Sequence, residues 1–596
     1  MKSFTILIVL GIPFLSPAQS NDWRLISNGQ KIYEHGYCDQ PYIVTTNDGT
    51  WVCTFTTSPG REGDDVQYIV STRSSDQGKS WSVPVEIEAA SSGVESSWAM
   101  PLVTKFDRIY AFYTFNGDSI RNLPDGSSMR ADTHGWYCYR YSDDKGRTWS
   151  KRYRLHMRKT AVDRENDFSG KVQMFWGIGE PVSKGNDVWF SFTKLGKYFL
   201  EEGEGWLYHS DNILTEKNVS KINWQLLPDG DFGIRSPNLG SVQEEFNIQP
   251  MNIENGLYCV YRTTLGQPAH AYSYDNGKTW SEPALISYSN GMPLRNPRAC
   301  PRLWKCKNGK YLLWYHNNGG KGFEHRNPAW VSGGIEKNGK IYWSQPEIVI
   351  HGSDRSYETG RFSYPDLVEE DGRYWVSTTQ KTTATIHEVP ASFFEMLWSQ
   401  FDEPNIVSNG LIRCFDRLPS NRNIKLREPL TMDNGGFALD LWIKIDEFEE
   451  VTIFEGTDAK KKGIELALSN NGTLEFMLTN EGETMRLTSD INRLKKGKSH
   501  HVAIIIDANA KICYMLIDGS ICDGGGKEVF GFSWFNEALM GIKIQNLSAK
   551  NFNGEVDKLR LYGQQMFASQ LVNNYNTEKL EITRCSTKAK KPRDAF

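Results

Sequence analysis

An eight-residue pattern, S-x-D-x-G-x-[ST]-W, occurs three times in this chain, at Ser74–Trp81, Ser142–Trp149 and Ser273–Trp280. The aspartates are spaced 144 − 76 = 68 and 275 − 144 = 131 residues apart, one and two periods of the same unit. Degenerate copies stand at Ser210-Asp211, with Trp224 beyond an inserted loop, and at Ser332 to Trp343. The flanks repeat too, as Trp81-Ser82-Val83-Pro84, Trp280-Ser281-Glu282-Pro283 and Trp343-Ser344-Gln345-Pro346. A unit of this kind cannot bury its apolar face alone and must pack against its neighbours. Within the motif, Asp accepts backbone N–H bonds in a hairpin turn, Gly takes positive φ, and Trp packs beneath the next strand. Alternating strand-like runs such as VQYIVSTR and GWYCYRYS precede the copies. A period of about 65 residues suits one four-stranded blade with its loops. Five copies and a closing segment near 364–390 predict a six-bladed β-propeller, in which the motif aspartates are structural.

The charge balance narrows the partners. Lys+Arg is 68 and Asp+Glu is 72, a formal net charge of −4, and the single basic cluster is the short tail Lys588, Lys590, Lys591. That disfavours a nucleic-acid partner. Residues 1–20 combine Lys2, an apolar stretch Phe4–Leu15 and small residues Ser16-Pro17-Ala18, the pattern of a secretory signal too short to span a membrane. No later apolar run reaches transmembrane length, and no Cys follows the cleavage region to carry a lipid. The expected mature protein is soluble, monomeric and exported to the periplasm or the medium. Ten cysteines remain. An exported chain can oxidise some of them, but Cys53 in WVCTF and Cys259 in LYCVY read as buried hydrophobes. No C-x-x-C pair or zinc spacing is present. No cofactor is expected; a calcium site built from carbonyls and Asp leaves no signature to read.

After a connector at 396–410 the pattern changes to long amphipathic strands: Phe437–Lys444, Ile464–Leu468, His501–Asp507 and Gly554–Tyr562. This predicts a second all-β unit over 411–580, a β-sandwich resembling laminin-G and concanavalin-like jelly rolls. The propeller is expected over 21–400. No motif in the second unit marks a sugar site, so a buttressing role is favoured.

The three clean motifs are Asp-boxes, and residues 24–395 resemble the sialidase-type β-propellers. That resemblance implies three Arg holding a carboxylate, a nucleophilic Tyr paired with a Glu, and an Asp acid/base. Carried over residue by residue, it implies Arg61 with Asp64 or Asp65 in SPGREGDDVQYIV, Arg262 in YCVYRTTLG, Arg326 in GGKGFEHRNPAW and Tyr364 in GRFSYPDLV. Two positions depart from the pattern. Cys38-Asp39-Gln40-Pro41 stands where the first-blade Arg is expected, and Asn247-Ile248-Gln249-Pro250 where the Glu is expected. Gln cannot take a phenolic proton, and a Tyr with a pKa near about 10 is a poor nucleophile without a base. Glu244 and Glu245 stand just upstream as substitutes.

The remaining parts suit a different reaction. Arg262 and Arg326 can clamp a carboxylate, with Gln249 as an amide donor to the same group and Arg61, Asp65 and Gln40 as further substrate-binding residues. Neutralising a uronate in this way acidifies its C5 proton, and removal of that proton expels the group on C4. Tyr364 and His134 are the expected acid–base pair, with His35 in reserve; His316 and His325 belong to the same loop set. The loops 116–133 (Arg121, Arg130, Asp132) and 159–175 (Arg164, Asp167, Lys171) are candidate rims, and Trp98 and Trp176 candidate stacking platforms. The leading expectation is an exported lyase or dehydratase acting on uronate-containing oligo- or polysaccharides such as ulvan, by looser resemblance to bacterial enzymes of that kind. The alternatives are a sialidase-like exo-glycosidase using Tyr364 with Asp64 or Asp65, and a glycan-binding protein without catalysis.

Overall fold

The computed structural model describes residues 22–64, 66–130, 132–133, 135–198, 202–241, 245–353, 360–402, 404–458 and 461–589. The expected signal segment 1–20 lies outside them, as do Asp65, His134 and Glu244.

Residues 30–389 form six antiparallel sheets in chain order, four of four strands and two of five. The first strands of successive sheets are Tyr37–Thr45, Ser96–Val103, Phe175–Trp176, Phe246–Pro250, Arg302–Lys305 and Ser363–Glu370. They approach one another around a common axis, the sixth returning to the first. Strand Gln30–Glu34 completes the sixth sheet by pairing with Thr383–Val389, so the chain's start closes the ring formed by its later part. Closure removes the exposed edges that an open stack would present. Aromatic rings fill the space between sheets: Phe112 of the second stacks on Phe190 of the third, with centroids 4.4 Å apart.

The three motif copies make the same turn. Ser273 Oγ accepts Gly277 N at 2.9 Å, and Asp275 accepts Thr279 N at 2.9 Å and Thr279 Oγ1 at 2.6 Å. Asn276 and Gly277 have φ of 60° and 90°, the left-handed pair that a tight hairpin requires. The turn follows the third strand of its sheet and therefore lies at the opposite end of the ring from the start of the first strand. Asp275→Ala is expected to cost about 1–2 kcal/mol through the lost turn bonds while leaving kcat/KM unchanged; thermal melting and initial rates check it. The segment Ser332 to Trp343 is not a copy. Ser332 sits within strand Ala329–Lys337 and Trp343 ends strand Lys340–Trp343, joined by a two-residue turn with Asn338 and Gly339 at φ 53° and 68°.

Three first strands carry the same irregularity. Register shifts fall at Gln40-Pro41, Trp98-Ala99 and Tyr364-Pro365. The first residue of each has positive φ: 55°, 61° and 45°. A bulge of this kind re-aims one side chain out of the ladder, and holding a non-glycine residue there costs on the order of 1 kcal/mol.

After helix Ala391–Ser399 the chain builds a two-sheet sandwich, seven strands on six, around an apolar core that includes Leu439, Phe454, Phe476 and Ile504. The sandwich is packed onto the propeller. Trp330 meets Tyr514 and Phe532, each at 5.7 Å, and Arg24 reaches both oxygens of Asp507 at 2.8 and 3.1 Å. Gly319 N donates to Val529 O at 2.8 Å, Arg295 pairs with Asp523 at 2.9 Å, and the His325 ring abuts Phe530 at 5.0 Å. These contacts brace the 316–326 loop. Phe532→Ala is expected to cost about 3–5 kcal/mol and to lower one shared calorimetric transition; two separate transitions in the wild type would refute the coupling. Nine cysteines are free thiols, all of them buried except Cys414. No helix among the described residues is long and apolar enough to cross a membrane.

Candidate active site

The strands within each sheet are antiparallel, so the start of the first strand and the end of the second share one end of the ring. At that end lies a cavity of about 540 Å³. Tyr364 lies at the start of the sixth first strand, Trp176 ends the short third one, and Glu245 immediately precedes the fourth. Arg262 directly follows the second strand Leu257–Tyr261, and Lys381 and Arg61 follow the second strands Arg373–Thr379 and Trp51–Ser58. Among the described residues, six arginines (61, 130, 262, 298, 326 and 361) and Lys381 line the cavity, with Glu62 as the one acid in the lining. Phe323, 40% exposed, stands at its wall. Such a lining makes the electrostatic potential in the cavity positive.

Tyr364 is buried, and its hydroxyl donates to Glu245 Oε1 at 2.7 Å. The same oxygen pairs with Arg262 Nη1 at 2.8 Å, and Arg262 N donates to Glu245 O at 3.1 Å. This corrects the expectation that the tyrosine lacks a carboxylate partner. The partner does not occupy a ladder position of strand Phe246–Pro250; it stands one residue before the strand, at the end of the ring that Tyr364 reaches. Burial raises the Tyr364 phenol well above its ordinary range. The charges of Glu245, Glu62 and Asp39 push the same way, and Arg262 opposes them. The resting phenol is therefore protonated and ion-paired to nothing, with an acceptor in hydrogen-bond contact.

Arg326 is buried and held by three neutral oxygens: Phe323 O at 2.9 Å, Ser363 Oγ at 2.7 Å and Arg298 O at 3.3 Å. Among the described residues no carboxylate pairs with it. Its guanidinium is fixed in orientation while its charge stays available to a ligand.

A second cluster flanks the tyrosine ring. Lys381 Nζ lies 4.5 Å from the Tyr364 ring centroid, 2.5 Å from Asp39 Oδ2 and 3.1 Å from Glu62 Oε2. Tyr37 and Gln40 also donate to Asp39 Oδ2, at 2.8 and 3.0 Å. Burial would raise the Glu62 carboxyl, but Lys381, Arg130 and Arg361 overcome it and hold the group far below the usual carboxylate range. Glu62 is thus ionised and unsuited to donate a proton.

The sequence-derived candidates separate by strand position. Arg61, Arg262, Arg326 and Tyr364 line the cavity together. Gln249 does not: its amide donates to Leu303 O at 3.2 Å, and it stands four residues beyond Glu245, about 13 Å along an extended chain. Gln40 is fully buried between Asp39 and Thr56 Oγ1, bracing Asp39 rather than facing the cavity. His35 and Asp64 lie in a shallower groove that shares Gly60 and Arg61 with the cavity, and Asp64 accepts Arg61 N at 2.6 Å. His134 and Asp65 fall outside the described residues. His316 is buried beside Trp314, with its imidazole pushed down to about 3, by burial first and then by Arg326; His325 faces the sandwich. Neither lines the cavity. Trp98 lies beneath Trp176, ring centroids 4.2 Å apart, and only Trp176 reaches the cavity.

Sequence reasoning passed over Glu62, Arg298, Arg361 and Lys381. Lys381 had a readable signal: like Arg262, it is a cation just beyond the second strand of its sheet. Arg298 and Arg361 had none, because irregular segments carry them. Among the described residues no three His, Cys, Asp or Glu side chains gather as a metal site.

Among known families, residues 418–571 match the model of the concanavalin A-like lectin/glucanases superfamily and residues 271–282 match that of the BNR/Asp-box repeat. The chain is thus an Asp-box propeller followed by a concanavalin-like sandwich. No curated protein matches it. Among solved structures, a Trypanosoma rangeli sialidase in complex with sialic acid is 12% identical, aligned over 92% of this chain and 94% of its own, with a TM-score of 0.42. The Hadza microbial sialidase Hz136 is 16% identical over 60% and 66%, with a TM-score of 0.40. A protein of unknown function from Dyadobacter fermentans is 16% identical over 61% and 97%, with a TM-score of 0.43.

Proposed function

We propose that this protein is a carbohydrate-active enzyme that cleaves the glycosidic bond of an acidic sugar by double displacement, with Tyr364 as nucleophile and Glu245 as its base. The observation that carries this reading is the 2.7 Å hydrogen bond from Tyr364 Oη to Glu245 Oε1 at the wall of an arginine-lined cavity. A sugar carboxylate binds beside Arg326 and Arg298. Its charge repels an anionic nucleophile, whereas a neutral phenol approaches without that penalty. As Tyr364 Oη attacks the anomeric carbon, its proton passes to Glu245, the bond to the leaving oxygen breaks, and that oxygen takes a proton from solvent unless, as in an aryl glycoside, it departs as a stable anion. Water then attacks the same carbon and breaks its bond to Tyr364 Oη, Glu245 returns its proton to the tyrosine, and the proton that the water loses goes to solvent. Arg262, paired to Glu245, fixes the carboxylate in position through both steps.

The case for elimination rested on a tyrosine without a carboxylate partner, and that premise no longer stands. Elimination of a uronate remains a distinct outcome of the same assay. The test is a panel of 4-methylumbelliferyl glycosides of acidic sugars, whose leaving group needs no proton from the enzyme. Fluorophore release with retained anomeric configuration, followed by NMR, supports the reading. Growth of near-ultraviolet absorbance from an unsaturated uronate, without net hydrolysis, overturns it in favour of elimination. Retardation on an acidic-glycan gel without turnover of any substrate would leave a binding protein.

A further inference from the structure

Lys381, Arg130 and Arg361 converge on one carboxylate, that of Glu62, at 3.1, 3.3 and 3.5 Å. Two of these cations are already anchored by shorter contacts to dedicated acids. Lys381 reaches Asp39 at 2.5 Å and Arg130 reaches Asp132 at 2.6 Å, and both acids are buried. Arg130 is further held over the Trp176 ring, 5.1 Å from its centroid. Neither cation needs Glu62 to stay in place.

Glu62 itself belongs to the short connection between strands Trp51–Ser58 and Tyr68–Ser74, and its side chain is 20% exposed. Gly63, at φ 85°, lets this connection pass close to Arg130: a Cβ there would meet Arg130 Nε at 2.7 Å. Two anchored cations and Arg361 thus surround a point occupied by a carboxylate from a surface turn. Charge-assisted donors of this kind bind sulfate, phosphate and carboxylate oxygens alike.

We propose that Lys381, Arg130 and Arg361 form a second anion subsite of the cavity, in which an oxyanion substituent of the ligand replaces the Glu62 carboxylate. Glu62 is then an internal occupant that neutral ligands do not displace, so the subsite selects ligands carrying a second negative group. That this group is a substituent of the sugar rests on the proposed function; anion binding at the cluster does not.

The test is calorimetric titration of the full chain with inorganic sulfate, inorganic phosphate and acetate, in parallel with Glu62→Gln, Arg361→Gln and the double variant. Glu62→Gln removes the competing charge, keeps the shape and leaves Asp39 and Asp132 on their cations. It is expected to tighten sulfate or phosphate binding by about tenfold or more, and Arg361→Gln in that background to reverse most of the gain. A crystal of Glu62→Gln grown with the tighter-binding anion is expected to hold it within hydrogen-bond distance of Lys381 and Arg130. Affinity that Glu62→Gln leaves unchanged, or an anion found only beside Arg298 and Arg326, overturns the proposal. Acetate binding as tightly as the tetrahedral anions assigns the substituent as a carboxylate; preference for sulfate or phosphate assigns an ester of that acid. The readout involves no turnover. A Tyr364-dependent hydrolase with no response at Glu62 therefore refutes the subsite alone, and an anion-binding cluster in an inactive protein refutes the hydrolase reading alone.

Discussion

Tyr364→Phe is expected to lower kcat on an acidic aryl glycoside by about a thousandfold while KM changes little. In the proposed double displacement the phenol oxygen is the atom that bonds to the anomeric carbon, and no other described side chain hydrogen-bonds to Glu245 from the cavity with a nucleophilic hydroxyl. The same proposal places substrate affinity elsewhere, in Arg326 and its neighbours, so the loss is expected to fall on kcat. The fold is expected to survive. The ring still fills the bulge at φ 45°, Glu245 keeps Arg262 at 2.8 Å, and the lost bond costs about 1–2 kcal/mol. Steady-state rates alongside melting curves separate the two effects. Unchanged kcat in the phenylalanine variant would remove Tyr364 from the chemistry.

The second large effect is expected at Glu245. Glu245→Ala removes the carboxylate that Arg262 Nη1 meets at 2.8 Å, and breaking a buried ion pair from one side costs about 3–5 kcal/mol. Activity is lost as well, because the phenol has no acceptor. Glu245→Gln isolates the catalytic part: it keeps the volume and one oxygen for the Arg262 and Tyr364 contacts, yet cannot take the proton. Its kcat is expected to fall by about two to three orders of magnitude with a much smaller drop in melting temperature. If the pair works as a unit, Glu245→Gln adds almost nothing in a Tyr364→Phe background. Multiplying losses would mean that the two residues act in separate steps.

The site was only partly legible in the chain. Arg262 and Tyr364 sit beside strands whose apolar pattern is strong, so their placement at one end of the ring follows from counting. Glu245 was weighed only as a substitute, because the expected partner was sought inside the strand at Gln249. A four-residue displacement along an extended strand is the difference between the cavity and the ring's interior. Gln40 failed for a related reason. The bulge at Gln40-Pro41 gives its amide to Asp39 and Thr56, and no local pattern announces a register shift.

Taken alone, the sequence determined the repeating unit. The spacing of Asp76, Asp144 and Asp275 and the turn chemistry around each are local, and local chemistry fixes hairpins and the number of times they recur. It also determined the change to a second all-β unit after residue 400. Only the tertiary structure decided which charges meet. Glu62 with Lys381, Glu62 with Arg130, and Tyr364 with Glu245 join segments from different sheets, separated by up to 319 residues in the first case (381 − 62). Such pairings arise from ring closure, which brings the ends of six sheets to one axis. The energy that enforces closure is the burial of apolar faces between sheets, and it is indifferent to the polar residues it carries to the rim.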